Sequence, residues 1–476
     1  MPQAGGLLPD PVVSMIADWV RRGAHTTAEE CPARPDGKGT VCDDEAGPGG
    51  NFVWHPEPAL EVPPPAQGIQ FYTPPRDVPA GEEWETCYAV RPDWAALAAQ
   101  VGLPPGQLPT IKQQTYRMHK GSHHLLLYMY AGQHTEEWTM GQYFPCQAAN
   151  CVNASDCPSD LGEPGTFLLP IGGTQVAGTR YEVKYPEGVG VPVLGPNAVL
   201  IINEHYTNPF QPAQPIYGEA WLNLYFSAPG EFKVLLDGIF AINSRDLIVE
   251  PYESRTISSI WQPRKILGGA SVDAALFQVF GHMHKRGQLF QADYVKGGRC
   301  SGGDPTRVRA CGRDADCACK PWQTGCDPGQ TCVRQADASD TTIYYTTEWD
   351  AAPIVDFPPP YFLVNRNDGI RWTCTHVNGV AGDPAYPPKK CAEGCEACGW
   401  DPASRTCRFC KTLEKPGLSW DIALQSCRDR TGAVLDAPRV YAEGEPMPLV
   451  FGLLADDDMC NMFGYFIDQA SLANLP

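Results

Sequence analysis

Glycine and proline number 47 each in this chain of 476 residues. Proline removes a backbone donor and glycine favours turns, so long regular elements are repeatedly interrupted. What lies between the breaks is short and often alternating. The stretch "GEAWLNLYFS" (218–227) alternates well, and "NAVLIINEHYTNP" (197–209) is a strand entering a turn. With twelve tryptophans and 43% hydrophobic residues to build cores, this pattern points to an all-β fold of sandwich or barrel type rather than a helix bundle.

The length allows two or three domains of ordinary size. Residues 8–24 carry apolar residues at helical spacing and end on glycine, so a short amphipathic helix is expected there, followed by a Pro/Gly-rich segment to about residue 80. Within that segment Cys31 and Cys42 are close enough for a local bridge. Strands and turns then fill 81–229, and "APGEF" (228–232) marks a boundary before the pattern restarts in 230–476. Two cysteine-rich inserts interrupt the second part, at 300–332 and within 375–430. Neither holds enough apolar residues to fold on a core of its own, so each needs covalent staples.

Twenty cysteines, clustered and even in number, read as a disulfide framework and hence an extracytoplasmic protein, periplasmic or secreted. The start "MPQAGGLLPD" has no signal-peptide pattern, so a processed or trimmed form is expected. No run of eighteen apolar residues occurs, so no membrane span is expected. The net charge of −19 argues against a nucleic-acid partner. In the second insert Cys395, Cys398, Cys407 and Cys410 have zinc-ribbon-like spacing, although disulfides are the better reading in an oxidising compartment.

Five of the ten histidines stand in three pointed contexts. His123 and His124 are adjacent at the head of the apolar run "YRMHKGSHHLLLYMYAG" (116–132), where successive strand side chains face opposite ways. Either one ring is exposed and the other a satisfied core histidine, or both serve one ligand. His205 lies in "INEHYTNP". His282 and His284 lie in "VFGHMHKRG", and H-x-H on a strand puts both rings on one face. Two polar residues on a wet face are the alternative, but the flanks are apolar. Finally, Met459 precedes Cys460 in "DDDMCNMFGYF". A lone methionine is ordinarily core filler, yet a thioether also selects Cu(I), while imidazole suits copper and zinc.

In that order, HH, HY, HxH and DMC resemble the copper type II, ascorbate-dependent monooxygenases, the family of the peptidylglycine-hydroxylating and dopamine β-hydroxylating enzymes. The resemblance covers roughly residues 80–466 between the inserts, and "PEGVGVPV" (186–193) is similar to a family turn. It implies two tandem antiparallel β-sandwich domains, jelly-roll-like, with one copper each facing across a cleft. The electron-transfer copper would be held by His123, His124 and His205. The oxygen-binding copper would be held by His282, His284 and Met459. Both rings of the adjacent pair can reach one copper if they use different nitrogens or if the backbone twists there. The resemblance also implies disulfides Cys374–Cys460 and Cys87–Cys146. The implied activity is hydroxylation of a C–H bond of a small organic substrate, using O2 and electrons from ascorbate or another one-electron reductant.

Substrate contacts depart from the peptide-amidating branch. Phe280 and Phe463 stand where that branch carries an arginine and a tyrosine that grip a terminal carboxylate, while Asn461 is kept. An apolar or aromatic substrate fits the two phenylalanines better, though each is equally suited to plain core, and Asn461 to a strand-end cap. The helix at 8–24 resembles the closing helix of bacterial c-type cytochrome domains, which would make a cytochrome the electron donor. His25, His55, His119, His134 and His376 are set aside as surface or capping residues, and Asn153 opens a glycosylation sequon. The competing expectations are a non-catalytic copper carrier on the same scaffold and a cysteine-stapled adhesion module.

Overall fold

The computed structural model describes residues 60–476 apart from 80–81, 120–121, 133–134, 136–137, 139, 146–166, 177, 179, 209–215, 244, 266–267, 303–308, 322–326, 328, 350–351, 393–397, 422–424, 429–436 and 453–456. The helix expected over 8–24, Cys31, Cys42, Cys146, Cys395 and the Asn153 sequon lie outside the described residues.

The first half contains β1 (Gly68–Val78), β2 (Glu83–Val90), the helix α1 (Trp94–Gln100), β3 (Thr110–Met118), β4 (Ser122–Ala131), β5 (Tyr143–Pro145), β6 (Phe167–Thr174), β7 (Arg180–Lys184), β8 (Val189–Pro192), β9 (Val199–Thr207), β10 (Ile216–Phe226) and β11 (Val234–Leu235). One sheet runs β1-β10-β3-β8-β11 with β7 also on β3, and the other runs β5-β2-β9-β4-β6. All pairings are antiparallel except β11 on β8. The sheets pack face to face over Ile111, Tyr116, Leu125, Leu127, Leu200 and Leu222.

Three local features differ from the sequence reading. Residues 68–78, assigned there to the Pro/Gly-rich segment, form β1 and pair along β10. The short helix α1 starts where the Asp93 carboxylate accepts from the Ala96 N–H at 2.9 Å, an N-cap that satisfies an otherwise orphaned donor. Its Trp94 is fully buried and donates to the Ala198 carbonyl at 2.7 Å. Strand β4, read as half-buried, is covered on both faces: Leu125, Leu127 and Met129 enter the sandwich core, while Tyr128 and Tyr130 pack on the other side.

The second half contains β12 (Asp237–Ile242), β13 (Ile248–Val249), β14 (Ser254–Trp261), β15 (Ala274–His282), β16 (Gly287–Cys300), β17 (Cys332–Thr346), β18 (Val355–Asp356), β19 (Phe362–Val364), β20 (Gly369–Val377), β21 (Gly399–Asp401), β22 (Thr406–Phe409), β23 (Ser419–Asp421), β24 (Ser426–Arg428), β25 (Arg439–Ala442), β26 (Leu449–Val450) and β27 (Asn461–Asp468). The sheets β12-β27-β15-β18, with β19 on β15, and β14-β20-β16-β17 form the second sandwich. Its core holds Val279, Phe290, Trp372, Met462 and Phe466, and the Cys374–Cys460 disulfide ties β20 to the segment entering β27. The chain is thus an all-β protein of two sandwiches.

Both cysteine-rich inserts are stapled. The first carries Cys300–Cys317 and Cys311–Cys332, the second Cys391–Cys407 and Cys410–Cys427. Cys407 and Cys410 are therefore committed to disulfides, which removes the zinc-ribbon reading. Among the described residues no helix is long and apolar enough to cross a membrane.

The sandwiches meet along the outer faces of two sheets. Tyr465 and Ile467 of β27 belong to the same core as Val183 and Tyr185 of the first half, and Phe240 of β12 packs edge-on against Tyr128 of β4 at 6.5 Å. The histidines lie in this seam.

Candidate metal centre

Strand parity decides which way the first three rings face. On β9 Leu200 and Ile202 enter the sandwich core, while Val199 and Ile201 face the other side, so Asn203 and His205 look outward towards the seam. On β4 His124 shares the face of Tyr128 and Tyr130 and lies directly opposite His205 in the ladder. By alternation His123 would point the other way. It does not, because the register slips between Ser122 and His124. This bulge inserts one residue and re-aims the side chain, so both rings of the adjacent pair face the cluster.

The second half supplies His282, the last residue of β15, paired with Asn461, the first residue of β27. His284 lies beyond the strand end rather than on it, in a turn closed by the Gly287 N–H donating to the His284 carbonyl at 2.9 Å. The HxH pair still converges, with ring centroids 5.1 Å apart. Asp458 fixes this turn. One of its oxygens accepts from the backbone N–H of His284 at 2.9 Å and of Met459 at 2.7 Å, joining the HxH loop to the Met–Cys segment. The Met459 sulfur accepts from Asn461 Nδ2 at 3.2 Å, and the residue is buried.

All five rings gather in one cluster. His123 lies 5.3, 5.0, 5.2 and 5.4 Å, centroid to centroid, from His124, His205, His282 and His284. Two groups of three have ligand atoms within 4.8 Å of one another: His123–His124–His205 and His123–His282–His284. The histidines of the two sets expected to face each other across a cleft therefore converge, and His123 falls in both of these groups. The indole of Trp349 lies 5.2 Å from the His123 ring.

Exposure of the five rings is 0–3%, and burial keeps His123, His205, His282 and His284 neutral. Burial, then His205 and the other three histidines, push His123 well below its usual range. Burial and His124 bring His205 down to about 3, and burial chiefly brings His284 down to about 4. Burial, then His284, puts His282 well below its ordinary value. A neutral imidazole is the form that ligates a metal.

Carboxylates and an amide orient the first three rings. His205 Nε2 is 2.5 Å from Glu83 Oε1. His124 Nε2 is 2.9 Å from Asn203 Oδ1, and Asn203 Nδ2 donates to Glu85 Oε1 at 2.6 Å. Burial pushes Glu85 up, but His124, His205 and Asn203 outweigh it and leave the carboxyl below its usual range. Such contacts fix the ring tautomer. They also leave Nδ1 of His124, Nδ1 of His205 and both nitrogens of His123 without a hydrogen-bond partner. Buried polar atoms are nearly always satisfied, and a metal ion is a partner these nitrogens suit. Five imidazoles make a donor set suited to copper or zinc.

None of Glu83, Glu85, Asn203 and Asp458 was singled out from sequence. The Glu83-x-Glu85 spacing on β2 was a usable signal only with the β2–β9 register, which sets Glu85 opposite His205. His376, read as a surface or capping residue, is fully buried, its Nδ1 3.2 Å from Asp458 Oδ2 without hydrogen-bond alignment. His119 is also buried. Phe280 and Phe463 are both 7% exposed and lie 5.5 Å apart with their rings tilted, with Phe463 6.1 Å from His282. They line the seam beside the cluster and also belong to the second core. Cys87 is disulfide-bonded, its expected partner Cys146 lying outside the described residues.

No protein-family model and no curated protein matches the chain. Among solved structures it is similar to the cowpea mosaic virus top component, naturally occurring empty particles, at 7% identity and a TM-score of 0.24, over 86% of this chain and 92% of that one. It is similar to the PBSX exported protein XepA at 9% identity and a TM-score of 0.16, over 74% of this chain and 99% of that one. At such scores neither likeness carries an argument. The resemblance to copper monooxygenases rests on the residues of this chain alone.

Proposed function

We propose that the chain is a copper-dependent monooxygenase that hydroxylates a C–H bond of a small apolar or aromatic substrate. The observation that carries this reading is the convergence of five buried imidazoles from two sandwiches, with ring nitrogens of His123, His124 and His205 left without partners. Copper would be held by His123, His124 and His205 on one side and by His282, His284 and Met459 on the other. When bound it would supply one-electron redox chemistry and activation of O2.

The chain's own residues supply the rest. Glu83 and the Asn203–Glu85 pair hold His205 and His124 through Nε2, so each presents Nδ1. Asp458 keeps the His284 turn and Met459 in register. Tyr128, Phe240, Phe280 and Phe463 form the apolar wall of the seam, which excludes water and suits an apolar substrate. Electrons would come from ascorbate or a cytochrome-type donor, and an extracytoplasmic setting accords with the disulfides.

A second reading, copper storage or transfer without turnover, is favoured by the near-complete burial of the rings. A cavity of about 600 Å³ at the seam is lined by Glu182, Tyr185, Phe277 and Tyr361, among others, and by none of the six ligand candidates. Oxygen uptake by the copper-loaded protein with ascorbate, screened over apolar and aromatic compounds, separates the two. Substrate-dependent uptake with one ¹⁸O from labelled O2 in the product supports the monooxygenase. Tight copper binding with no substrate-dependent uptake across the screen supports storage.

A further inference from the structure

We propose that the first cysteine-rich insert completes a binding pocket for a small hydroxylated carboxylate on the second sandwich. The pocket is separate from the histidine cluster, and it stands whether or not the chain binds copper.

The pocket is a cavity of about 380 Å³ where three stretches of chain meet, a size near the low end for small-molecule sites. The turn after β12 brings Asn243 and Arg245, β14 brings Ser258 and Ser259, and the insert brings Arg309 and Lys320. None of the six ligand candidates lines it. The insert is held in place as a wall. Cys300–Cys317 and Cys311–Cys332 staple it, and the Arg309 carbonyl accepts from the Cys300 N–H at 3.0 Å. Lys320 clamps the insert to the sandwich, its Nζ donating to Asp246 Oδ2 at 2.7 Å and to the Ser258 carbonyl at 3.0 Å.

Two independent observations point to an anion. The first is charge: Arg245, Arg309 and Lys320 line the cavity against Asp246 and Asp316, in a chain whose net charge is −19. Both carboxylates already meet cations, Asp246 at Lys320 and Asp316 at Arg371, 3.1 Å away. Arg309 Nη2 instead donates to the Asp316 carbonyl at 2.9 Å, a neutral partner that leaves its positive charge uncancelled. The second is an orphaned donor. Asn243 is 6% exposed and its Nδ2 has no hydrogen-bond partner. Buried polar atoms are nearly always satisfied, and a carboxylate oxygen in the cavity would satisfy this one through a charge-assisted bond. Ser258, Ser259 and Gln262 also line the cavity, and their side chains both donate and accept, which suits a ligand bearing hydroxyl groups.

The test is calorimetric titration of the full chain with gluconate, with glucose and sulfate as controls. Glucose keeps the hydroxyls without the charge, and sulfate keeps the charge without the hydroxyls. The expected result is saturable binding of one gluconate per chain, with each control weaker by about tenfold or more. Arg245→Gln and Arg309→Gln should each weaken gluconate by about tenfold or more. Each should also lose the rise in melting temperature that gluconate gives the wild-type protein. Arg245 is exposed, so its replacement probes the pocket without threatening the fold. Sulfate binding as tightly as gluconate would overturn the assignment to a hydroxylated carboxylate. Gluconate binding unaltered in both variants would place the ligand elsewhere and overturn the pocket. No saturable binding of gluconate, glucuronate or lactate would overturn it as well. Each of these results leaves the copper reading untouched.

Discussion

His205 Nε2 lies 2.5 Å from Glu83 Oε1, with the ring fully buried. The contact occupies the nitrogen that faces away from the cluster and leaves Nδ1 for a ligand. A carboxylate in this place both orients the ring and makes it a better donor. Glu83→Gln preserves the size of the side chain but removes the charge. Copper affinity of the first group should fall about 10–100-fold while the far-ultraviolet circular dichroism is unchanged. Competition against a chelator of known affinity measures the drop; an unchanged affinity would show that Glu83 does nothing for His205.

Asp458 is the corresponding support in the second half. Asp458→Asn retains an oxygen for the two backbone donors of His284 and Met459 but loses the charge that faces His376 at 3.2 Å. Asp458→Ala loses both and should destabilise the fold by about 3–5 kcal/mol. In denaturant melts the asparagine variant should fall between wild type and alanine. Equal stability of all three would remove Asp458 from any structural role.

Gly281 precedes His282 on β15, and a Cβ there would lie 2.5–2.8 Å from three atoms of the Phe290 ring. That ring is fully buried and cannot swing aside. Gly281→Ala should therefore cost about 1–3 kcal/mol through overpacking. It should also displace His282 and weaken copper binding, as thermal melts and metal titration would register. A variant as stable as wild type would mean that the core there is slack.

The acid limb of stability should depend on Arg371, which contacts Asp293, Asp316 and Asp340 at 3.0, 3.1 and 3.0 Å. Burial pushes the Asp293 carboxyl up, but hydrogen bonds from Gln291, Thr342 and Arg371 outweigh this and hold it below the usual range. A depressed folded-state pKa contributes stability that is full above the unfolded carboxylate value, about 4. It is lost as pH falls through the lower folded value. Arg371→Met should be less stable than wild type at neutral pH, with the gap closing below about pH 4. A gap independent of pH would assign the effect to packing alone.

The ligand candidates were legible because they travel as short words: HH, HY, HxH and MC each survive as neighbours in sequence. The Cys374–Cys460 pairing implied by the family resemblance is also present. What supports those residues was not legible. Glu83, Glu85 and Asn203 meet His205 and His124 across the β2–β9 and β4–β9 ladders, and which residues meet there depends on register. His376 looked like a lone loop histidine, yet β20 carries it into the core. The close approach of the two histidine sets was hidden for a similar reason. It depends on a one-residue bulge and on how two sheet faces pack, and neither leaves a spacing in the chain.

The connection between the sandwiches is itself structural. Straight after the expected boundary at 229 the chain lays β11 along β8, with Val234 beside Val189, and the far end of β27 returns Tyr465 and Ile467 to the first core. A hinge has slack, and this join has none. The two sandwiches therefore form one cooperative unit: calorimetry should record a single melting transition, and neither half expressed alone would keep a complete core.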